Sequence, residues 1–447
     1  MKSTLVRVVA VLMILLLFTG CGSSQTINGV DISQYTIVYS QDAPDYCQRA
    51  AEYIQSEVFS RTGVELPVCE ASSGTYAHEI LVGDTDRKIS SDLAAHTENM
   101  TFAITAADGH IALNAEYYVI AAAAYYFVET YIPAKNFKSE ISTEITLNTP
   151  ITKAPNNFIF MIGDGMGFNH TRLFEEYNIA EHLADVSSDN EDIFYGYHFP
   201  YHGQAHTDSL SGTTDSAAGA TALSTGYKTI NGYIGVDDQK NNLTSLTELA
   251  GSMGKATAVL TTDTITGATP AGFSAHYYNR TNKAAITESQ KQLVKKYNTT
   301  LLGFLEYSED IHADVAEVLD QLDQSEKGFF MMYEEAHIDK YADGVYVDDT
   351  DSLGVFSCVV RFNQAIGTVM EYAFYNPDTF VLITADHETG GLTDDFKFTT
   401  TNHTSADVPV FAYGQGAEVF DGFCDENTEI PKAIAKMWGV NDFGDNS

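Results

Sequence analysis

The sequence has few basic residues. It contains 24 lysines and arginines against 61 aspartates and glutamates, which gives a formal net charge of −37. Binding to nucleic acid needs a basic face, so the composition argues against a nucleic-acid partner and against adsorption to anionic lipid by charge. Any anion-binding site must therefore depend on a local concentration of positive charge, such as a metal cluster or a single arginine.

The sequence also lacks a C-x-x-C pair, an internal repeat and a low-complexity segment. No structural zinc knot is therefore expected. Cys47 follows the helical spacing of the apolar residues in 47–58 and is predicted to be a buried core residue. Three disulfide pairings stay open for the cysteines that remain after Cys21, namely Cys47, Cys69, Cys358 and Cys424.

The N-terminus is predicted to be a targeting segment. Lys2 and Arg7 precede the apolar run Val8–Phe18, which is too short to span a bilayer comfortably. The run ends in FTGC at Cys21, which resembles the lipobox of a bacterial lipoprotein. We expect residues 1–20 to be a signal peptide and Cys21 to be the lipidated anchor of an extracytoplasmic protein on the cell membrane. A plain secretory signal with an incidental cysteine is the alternative.

The first half of the mature chain predicts a small α/β domain. Residues 21–33 are expected to be a tether, 34–135 an accessory α/β domain and 136–155 a linker. The expected elements are a strand at Tyr35–Tyr39, a helix at Ala43–Arg61, a strand at Glu79–Val82, a hairpin of Met100–Ala106 with His110–Leu113, and a helix at Ala115–Ile132. This order resembles the non-catalytic domain that precedes the catalytic barrel in many glycan-processing hydrolases. The resemblance implies a spacer or recognition module, and a packing appendage without a ligand is the alternative.

A different pattern begins at residue 156 and continues to 447. Apolar strands alternate with helical stretches, which predicts a mostly parallel sheet covered by helices on both faces. Such folds bind ligands at the carboxyl ends of their strands. The predicted strands are Phe158–Ile162, Ala256–Leu260, Gly328–Tyr333, Phe380–Thr384 and Val408–Tyr413.

Residues suited to metal binding recur at those strand ends. Singly, each could be a solvated loop residue. Because many carboxylates would meet there with few lysines, cations are needed to hold them together. The residues are Asp164, Glu334 and Glu335 with Asp339 close behind, Asp386 with His387, and His403.

Ser216 stands in the stretch TDSAAGATAL, in which small residues suit the first turns of a buried helix. The arrangement predicts that Ser216 lies at or near a helix N-terminus, where free N–H groups and the helix dipole favour a bound anion. The alternative interpretation of Ser216 is an ordinary helix N-cap.

Six motifs, in this order, resemble the alkaline phosphatase family: NNFIFMIGDGMG, TDSAAGATALSTGYKTINGYIGVD, GATPAGFSAHYYNR, FFMMYEEAHIDK, VLITADHETGG and NHTSADVPVFAYG. The resemblance implies the alkaline-phosphatase-like α/β fold for residues 156–447. It also implies hydrolysis of phosphate monoesters through a phosphoserine, with two Zn²⁺ and one Mg²⁺. Together with the predicted lipid anchor, this gives release of inorganic phosphate outside the cytoplasm.

The resemblance assigns a role to each matching residue. Ser216 matches the nucleophile, and Arg280 matches the arginine that grips phosphate. Asp215 and Lys340 match residues near the phosphate and its arginine. The implied metal ligands are Asp164 between one zinc and the magnesium, Asp386 and His387 for that zinc, Thr269 and Glu334 for the magnesium, and Asp339 and His403 for the second zinc.

The sequence departs from the family pattern in three places. Asp343 replaces a histidine and is predicted to be an atypical ligand of the second zinc. Gly267 replaces an aspartate or histidine near the magnesium, which is expected to loosen the magnesium shell. The segment from Arg280 to Glu334 is much shorter than in typical members, so oligomeric state and substrate access stay open.

These departures leave two alternatives to the phosphatase. One is a turnover-impaired lipoprotein that binds phosphate or phosphorylated glycans. The other is a related metalloenzyme acting on diesters or sulfate esters, although TDSAA is not a cysteine-bearing sulfatase signature.

Overall fold

The computed structural model describes residues 25–40, 43–176, 193–344 and 352–444. The predicted signal peptide and Cys21 lie outside the described residues. The helices run over Asp45–Thr62, Lys88–Ala94, Val119–Tyr131, Phe168–Thr171, Leu173–Glu176, Ser216–Thr225, Leu246–Ser252, Ala268–Ser274, Lys283–Tyr297, Ile311–Leu322, His337–Ala342, Ser352–Tyr375 and Glu429–Met437.

The strands are numbered in chain order. Those of the N-terminal part are β1 (Gln25–Ile27), β2 (Val30–Asp31), β3 (Thr36–Tyr39), β4 (Val68–Glu70), β5 (Glu79–Val82), β6 (Phe102–Ala107), β7 (His110–Ala115), β8 (Phe137–Ser139) and β9 (Leu147–Asn148). The others are β10 (Asn157–Gly163), β11 (Tyr201–His206), β12 (Ala256–Thr261), β13 (Thr300–Leu302), β14 (Phe329–Glu335), β15 (Thr379–Thr384), β16 (Glu388–Thr389), β17 (His403–Thr404), β18 (Val408–Tyr413) and β19 (Cys424–Glu426).

An eight-stranded sheet organises the larger part of the chain. Its strand order is β13-β12-β14-β10-β15-β18-β11-β19. The five strands from β13 to β15 pair in parallel, whereas β18 is antiparallel to both neighbours. All residues of β10, β14 and β15 are buried, as expected for strands covered on both faces. The predicted α/β fold class is confirmed.

The predicted N-terminal α/β unit is also present, built on a six-stranded sheet of order β4-β3-β5-β7-β6-β9. The hairpin of β6 and β7 turns at Asp108 and Gly109, whose φ angles of 52° and 84° suit the tight turn that joins twisted strands. Cys47 is buried as predicted. No disulfide bond forms among the four described cysteines.

Short strands also form within the residues predicted to be the tether and the linker. β1 pairs in parallel with β8 and in antiparallel with β2, and Ile27 is fully buried. β9 extends the N-terminal sheet by pairing with β6. These strands have two or three residues, too short to show a periodic pattern, and their pairing depends on distant partners.

The two predicted domains share one continuous apolar core. The helix Val119–Tyr131 packs against Ser352–Tyr375. Arg49 Nη2 lies 2.8 Å from Glu371 Oε2, and the rings of Tyr53 and Tyr375 stack with centroids 4.2 Å apart. The N-terminal unit therefore supports a helix that also covers the central sheet.

Within the described residues, one helix passes the length and composition test for a membrane span, Leu353–Tyr375, with a mean hydropathy of 1.3. However, 72% of the 18-residue window that passes the test is buried inside the fold. Packing against the central sheet and the N-terminal unit accounts for its apolar composition.

Candidate active site

Three adjacent parallel strands bring carboxylates to one edge of the central sheet. The register places Ile162 of β10 beside Glu334 of β14 and Thr384 of β15. Asp164 and Asp386 follow the ends of β10 and β15. Glu334, Asp164 and Asp386 therefore come to the same edge of the sheet.

The first cluster consists of Asp164, Asp386 and His387, whose ligand atoms all lie within 4.8 Å of one another. His387 Nε2 is 3.4 Å from both Asp164 Oδ1 and Asp386 Oδ2. All three residues are buried, and neither of those carboxylate oxygens has a hydrogen-bond partner. Burial, together with the nearby charge of Asp386, raises the pKa of Asp164. A cation at this point would satisfy the orphaned oxygens.

The second cluster joins Asp339, His387 and His403 within the same limit of 4.8 Å. His403 Nε2 is 3.4 Å from Asp339 Oδ1, and the two imidazole rings stack with centroids 3.7 Å apart. Thr389 Oγ1 donates a hydrogen bond of 2.5 Å to Asp339 Oδ1. The sequence analysis missed Thr389, although it lies in the motif VLITADHETGG.

Hydrogen bonds on the far side of each ring orient both histidines. His403 Nδ1 lies 2.9 Å from the carbonyl oxygen of Thr214, so its N–H donates there. His387 Nδ1 lies 3.2 Å from the Thr389 hydroxyl, which already donates to Asp339 and therefore accepts from the ring. When the rings are neutral, this leaves the Nε2 lone pair of each facing the carboxylates, as in histidines that ligate metals.

The residues that the family resemblance assigns to magnesium, Asp164, Thr269 and Glu334, offer only oxygen atoms. Thr269 is fully buried, and its hydroxyl lies close enough to the Glu334 carboxylate to lower the pKa of that group. Thr261, which the sequence analysis missed, donates to Glu334. Burial raises the pKa of Glu334 to about 8, and the charges of Asp386 and Asp263 add to the rise. An all-oxygen set of this kind suits a hard cation such as Mg²⁺.

Glu335 does not join these clusters, contrary to the expectation from its place at the strand end. Successive side chains of a strand point to opposite faces, so Glu335 turns away from Glu334. It forms a two-pronged pair with Arg361, at 2.7 Å to Nε and 2.6 Å to Nη2. Burial opposes ionisation, but the Arg361 charge outweighs it and lowers the pKa of Glu335 to about 2.

Ser216 is the first residue of the buried helix Ser216–Thr225. The N-cap is Asp215, whose Oδ1 accepts a 3.0 Å hydrogen bond from Ala218 N, so the N-cap interpretation of Ser216 is wrong. Ser216 Oγ lies 3.3 Å from His387 Nε2. A Cβ at Gly219 would come within 2.8 Å of the Asp386 carbonyl oxygen, which explains the small residue there.

Arg280 supplies a positive charge next to this serine helix. Its Nη1 donates to Asp215 Oδ2 at 2.9 Å, and the same carboxylate oxygen accepts from Gly232 N. The Arg280 side chain keeps 35% of its surface exposed. Arg280 is therefore the single arginine that the sequence predicts as a local source of positive charge. It is held beside the serine helix and remains accessible to solvent.

This geometry agrees with the comparison to known proteins. The family model for alkaline phosphatase matches residues 155–311 and 308–395, more than half of the chain. The chain belongs to the alkaline phosphatase family.

Two curated relatives come from Bacillus subtilis. Alkaline phosphatase 4 is 30% identical over 295 residues, covering 53% of this chain and 62% of that protein. Alkaline phosphatase 3 is 25% identical over 424 residues, covering 64% of this chain and 89% of that protein. This chain therefore spans less than two thirds of the first of these relatives.

Solved structures give the same family. The alkaline phosphatase from the Antarctic bacterium TAB5 is 27% identical, with a TM-score of 0.54 over 65% of this chain and 99% of that one. A mutant of that enzyme with Mg bound in its M3 site is 28% identical, with a TM-score of 0.53. These matches leave about a third of this chain outside the likeness.

Asp343 lies one helical turn after Asp339, and its N–H donates to the Asp339 carbonyl at 2.8 Å. Among the described residues, Asp343 belongs to neither of the two clusters whose ligand atoms lie within 4.8 Å of one another. Its role as an atypical zinc ligand stays a prediction.

The neighbourhood of Gly267 contains a carboxylate that the sequence analysis missed. Asp263 Oδ2 would lie 3.5 Å from a Cβ built at Gly267, and it lies 2.7 Å from Lys340 Nζ. Asp263 comes shortly after the end of β12, at the sheet edge that carries the clusters. Its position just after a predicted strand of the central sheet was the feature of the sequence that could have identified Asp263 as a site residue.

We expect the metal-free protein to lose stability as pH rises from about 6.5 to about 9. Burial lowers the pKa of His403, but its hydrogen bond to Asp339 outweighs this and raises the pKa to about 9. A raised folded-state pKa stabilises the protein fully below the unfolded value and loses that contribution on passing the folded value. Urea unfolding of chelated protein across this range should show the loss. His403→Gln should remove the His403 part of the slope and leave the part that Glu334, with its pKa raised to about 8, contributes below that pH, whereas exposed His96→Gln should leave the slope unchanged. An unchanged slope in His403→Gln would contradict the assignment.

Replacing Asp343 by histidine tests its predicted place in the second zinc site. With two carboxylates and one imidazole the centre carries less positive charge, so it lowers the pKa of bound water less and accepts harder ions. Asp343→His should therefore bind Zn²⁺ more tightly and lower the pH optimum of turnover, measured by zinc titration and pH–rate profiles. Asp442→His, at an exposed position, is the control. Unchanged zinc affinity and pH profile would show that Asp343 is not a ligand.

Proposed function

We propose that this protein hydrolyses phosphate monoesters by transferring the phosphoryl group to Ser216. The observation that carries the proposal is the position of Ser216 Oγ. It lies at a helix N-terminus and 3.3 Å from His387 Nε2, the atom that faces two buried carboxylates. A monoester is anionic, and Arg280 with the helix N-terminus is the positive surface that would receive it.

The donor sets support two zinc ions and one magnesium ion. Asp164, Asp386 and His387 offer mixed nitrogen and oxygen ligands, as do Asp339 and His403, and both sets suit Zn²⁺. Asp164, Thr269 and Glu334 offer oxygen alone, which suits Mg²⁺. When bound, such ions lower the pKa of hydroxyl groups and water and neutralise a leaving oxygen.

The chain's residues then divide the reaction into two displacements. Ser216 Oγ loses its proton and forms a bond to phosphorus while the bond from phosphorus to the ester oxygen breaks, and the alcohol leaves with a proton. Water then attacks phosphorus, the bond to Oγ breaks, and inorganic phosphate leaves as the serine hydroxyl is restored. Arg280 holds two phosphate oxygens through both steps, and Asp215 fixes the guanidinium by the 2.9 Å bond.

Ser216→Ala should lower turnover of a chromogenic phosphate monoester by several orders of magnitude, because the covalent route is lost. The control is Ser252→Ala, an exposed serine at the end of the helix Leu246–Ser252. Acid quenching and mass spectrometry should find phosphate on Ser216 in the wild type and none in Ser216→Ala. Retention of most activity by the variant would refute the phosphoserine mechanism. Metal-loaded wild-type protein that binds phosphate without turnover would instead support the binding lipoprotein.

We also propose that the enzyme acts outside the cytoplasm, anchored by lipid at Cys21. The support is the sequence alone, in which the apolar run Val8–Phe18 ends at FTGC.

Mass spectrometry of the mature protein should show a chain that starts at Cys21 with a diacylglyceryl group. Cys21→Ser should abolish the lipid and release the protein from the membrane fraction. A free amino terminus elsewhere, without lipid, would contradict the anchor.

A further inference from the structure

A second cation, Lys283, lies close to the phosphate-binding arginine of the candidate site. Lys283 follows Arg280 after one tight turn of the backbone. Its Nζ donates a 2.7 Å hydrogen bond to the carbonyl oxygen of Thr266. Thr266 lies just before the helix Ala268–Ser274, which carries Thr269. The Lys283 side chain therefore joins the segment that contains the arginine to the loop that leads to Thr269.

The helix that begins at Lys283 does not itself account for a lysine there. Lys283 is the first residue of the helix Lys283–Tyr297, whose first turn contains no acidic residue. The positive end of the helix dipole opposes a positive side chain at this place. Asn282 already caps the helix, since its Oδ1 accepts a 3.2 Å hydrogen bond from Ala285 N. The reason for the lysine is therefore to be sought outside its own helix.

The surroundings of Lys283 are positive, although the chain as a whole carries a formal charge of −37. Burial, together with repulsion by Arg280 and by Lys340, lowers the pKa of the Lys283 ammonium, and attraction to Asp263 offsets only part of this. The cations are therefore close enough to act on one another. A bound anion would relieve that repulsion, and the local positive field would attract it.

Arg280 connects this positive region to the serine helix. Its guanidinium binds Asp215, which is the N-cap of the helix Ser216–Thr225, and its main chain leads into the turn before Lys283. The starts of the two helices are thus linked through one arginine. Both Arg280 and Lys283 keep part of their surface exposed, so a substrate can reach them from solvent.

We propose that Lys283 forms an anion subsite beside the phosphate site, and that this subsite favours monoesters whose alcohol carries a second anionic group. Arg280 holds the phosphoryl group that is transferred, and the Lys283 ammonium pairs with the second anionic group of the same substrate. The inference rests on the proposed function, because it concerns which monoesters the site accepts.

Steady-state kinetics on glycerol phosphate and phosphoglycerate test the subsite, because the second ester carries a carboxylate that the first lacks. In Lys283→Gln, KM for phosphoglycerate should rise about fivefold, as expected for the loss of an ion pair that is open to water. Its kcat, and both constants for glycerol phosphate, should keep their wild-type values. Lys283→Arg keeps the charge and should retain the low KM for phosphoglycerate. The measured product is inorganic phosphate released by the full-length, metal-loaded protein.

Lys291→Gln is the matched control, since it removes the same charge from the same helix about two turns further along. Lys291 Nζ lies 3.4 Å from Glu288, and its side chain is 68% exposed. This variant should leave KM and kcat unchanged for both esters.

An equal rise in KM for both esters in Lys283→Gln would overturn the inference, because it would show that Lys283 only holds the Thr266 loop or attracts every monoester. Unchanged kinetics in Lys283→Gln would overturn it as well. In both cases hydrolysis by the wild-type protein leaves the proposed function standing. If the wild-type protein hydrolyses neither ester, the proposed function fails and this inference fails with it.

Discussion

The mutual repulsion of buried carboxylates is the constraint on which the site depends. Asp164, Asp386 and Asp339 are each at least nine-tenths buried and share His387 as a neighbour. Burying like charges together is unfavourable unless cations or hydrogen-bond donors compensate them. The fold gives partners to some buried carboxylates and leaves one oxygen each of Asp164 and Asp386 without a hydrogen bond, and that difference separates structural from chemical carboxylates.

Glu334 and Glu335 show this separation within two adjacent residues. Glu335 has a permanent counter-ion in Arg361, which lowers the pKa of Glu335. This ion pair joins the helix that carries Arg361 to the sheet. Glu334 receives a hydrogen bond from the Thr261 hydroxyl, and burial raises its pKa to about 8. The alternation of a strand is enough to give neighbouring glutamates opposite environments.

Residues that take no part in the proposed reaction also keep the site residues in position. Thr214 and Thr389 orient two histidine rings, and Asp215 caps the serine helix while it binds Arg280. Farther away, the N-terminal unit packs on the helix Ser352–Tyr375, which also holds Arg361. Rigid support of this kind keeps reacting groups at working distances.

The sequence by itself determined the α/β class, the strands of the central sheet, and the residues at their carboxyl ends. It could do so because buried parallel strands are continuous apolar runs, and because such strands end at one edge of a sheet. Only the tertiary structure decided which of those residues meet. In the folded chain Glu335 points away from Glu334, and Asp215 rather than Ser216 is the N-cap of the serine helix. Asp263 lies near Gly267 and forms an ion pair with Lys340. The tertiary structure also paired β1 with β8 across more than a hundred residues. These outcomes depend on side-chain direction and on long-range pairing, which local sequence patterns do not encode.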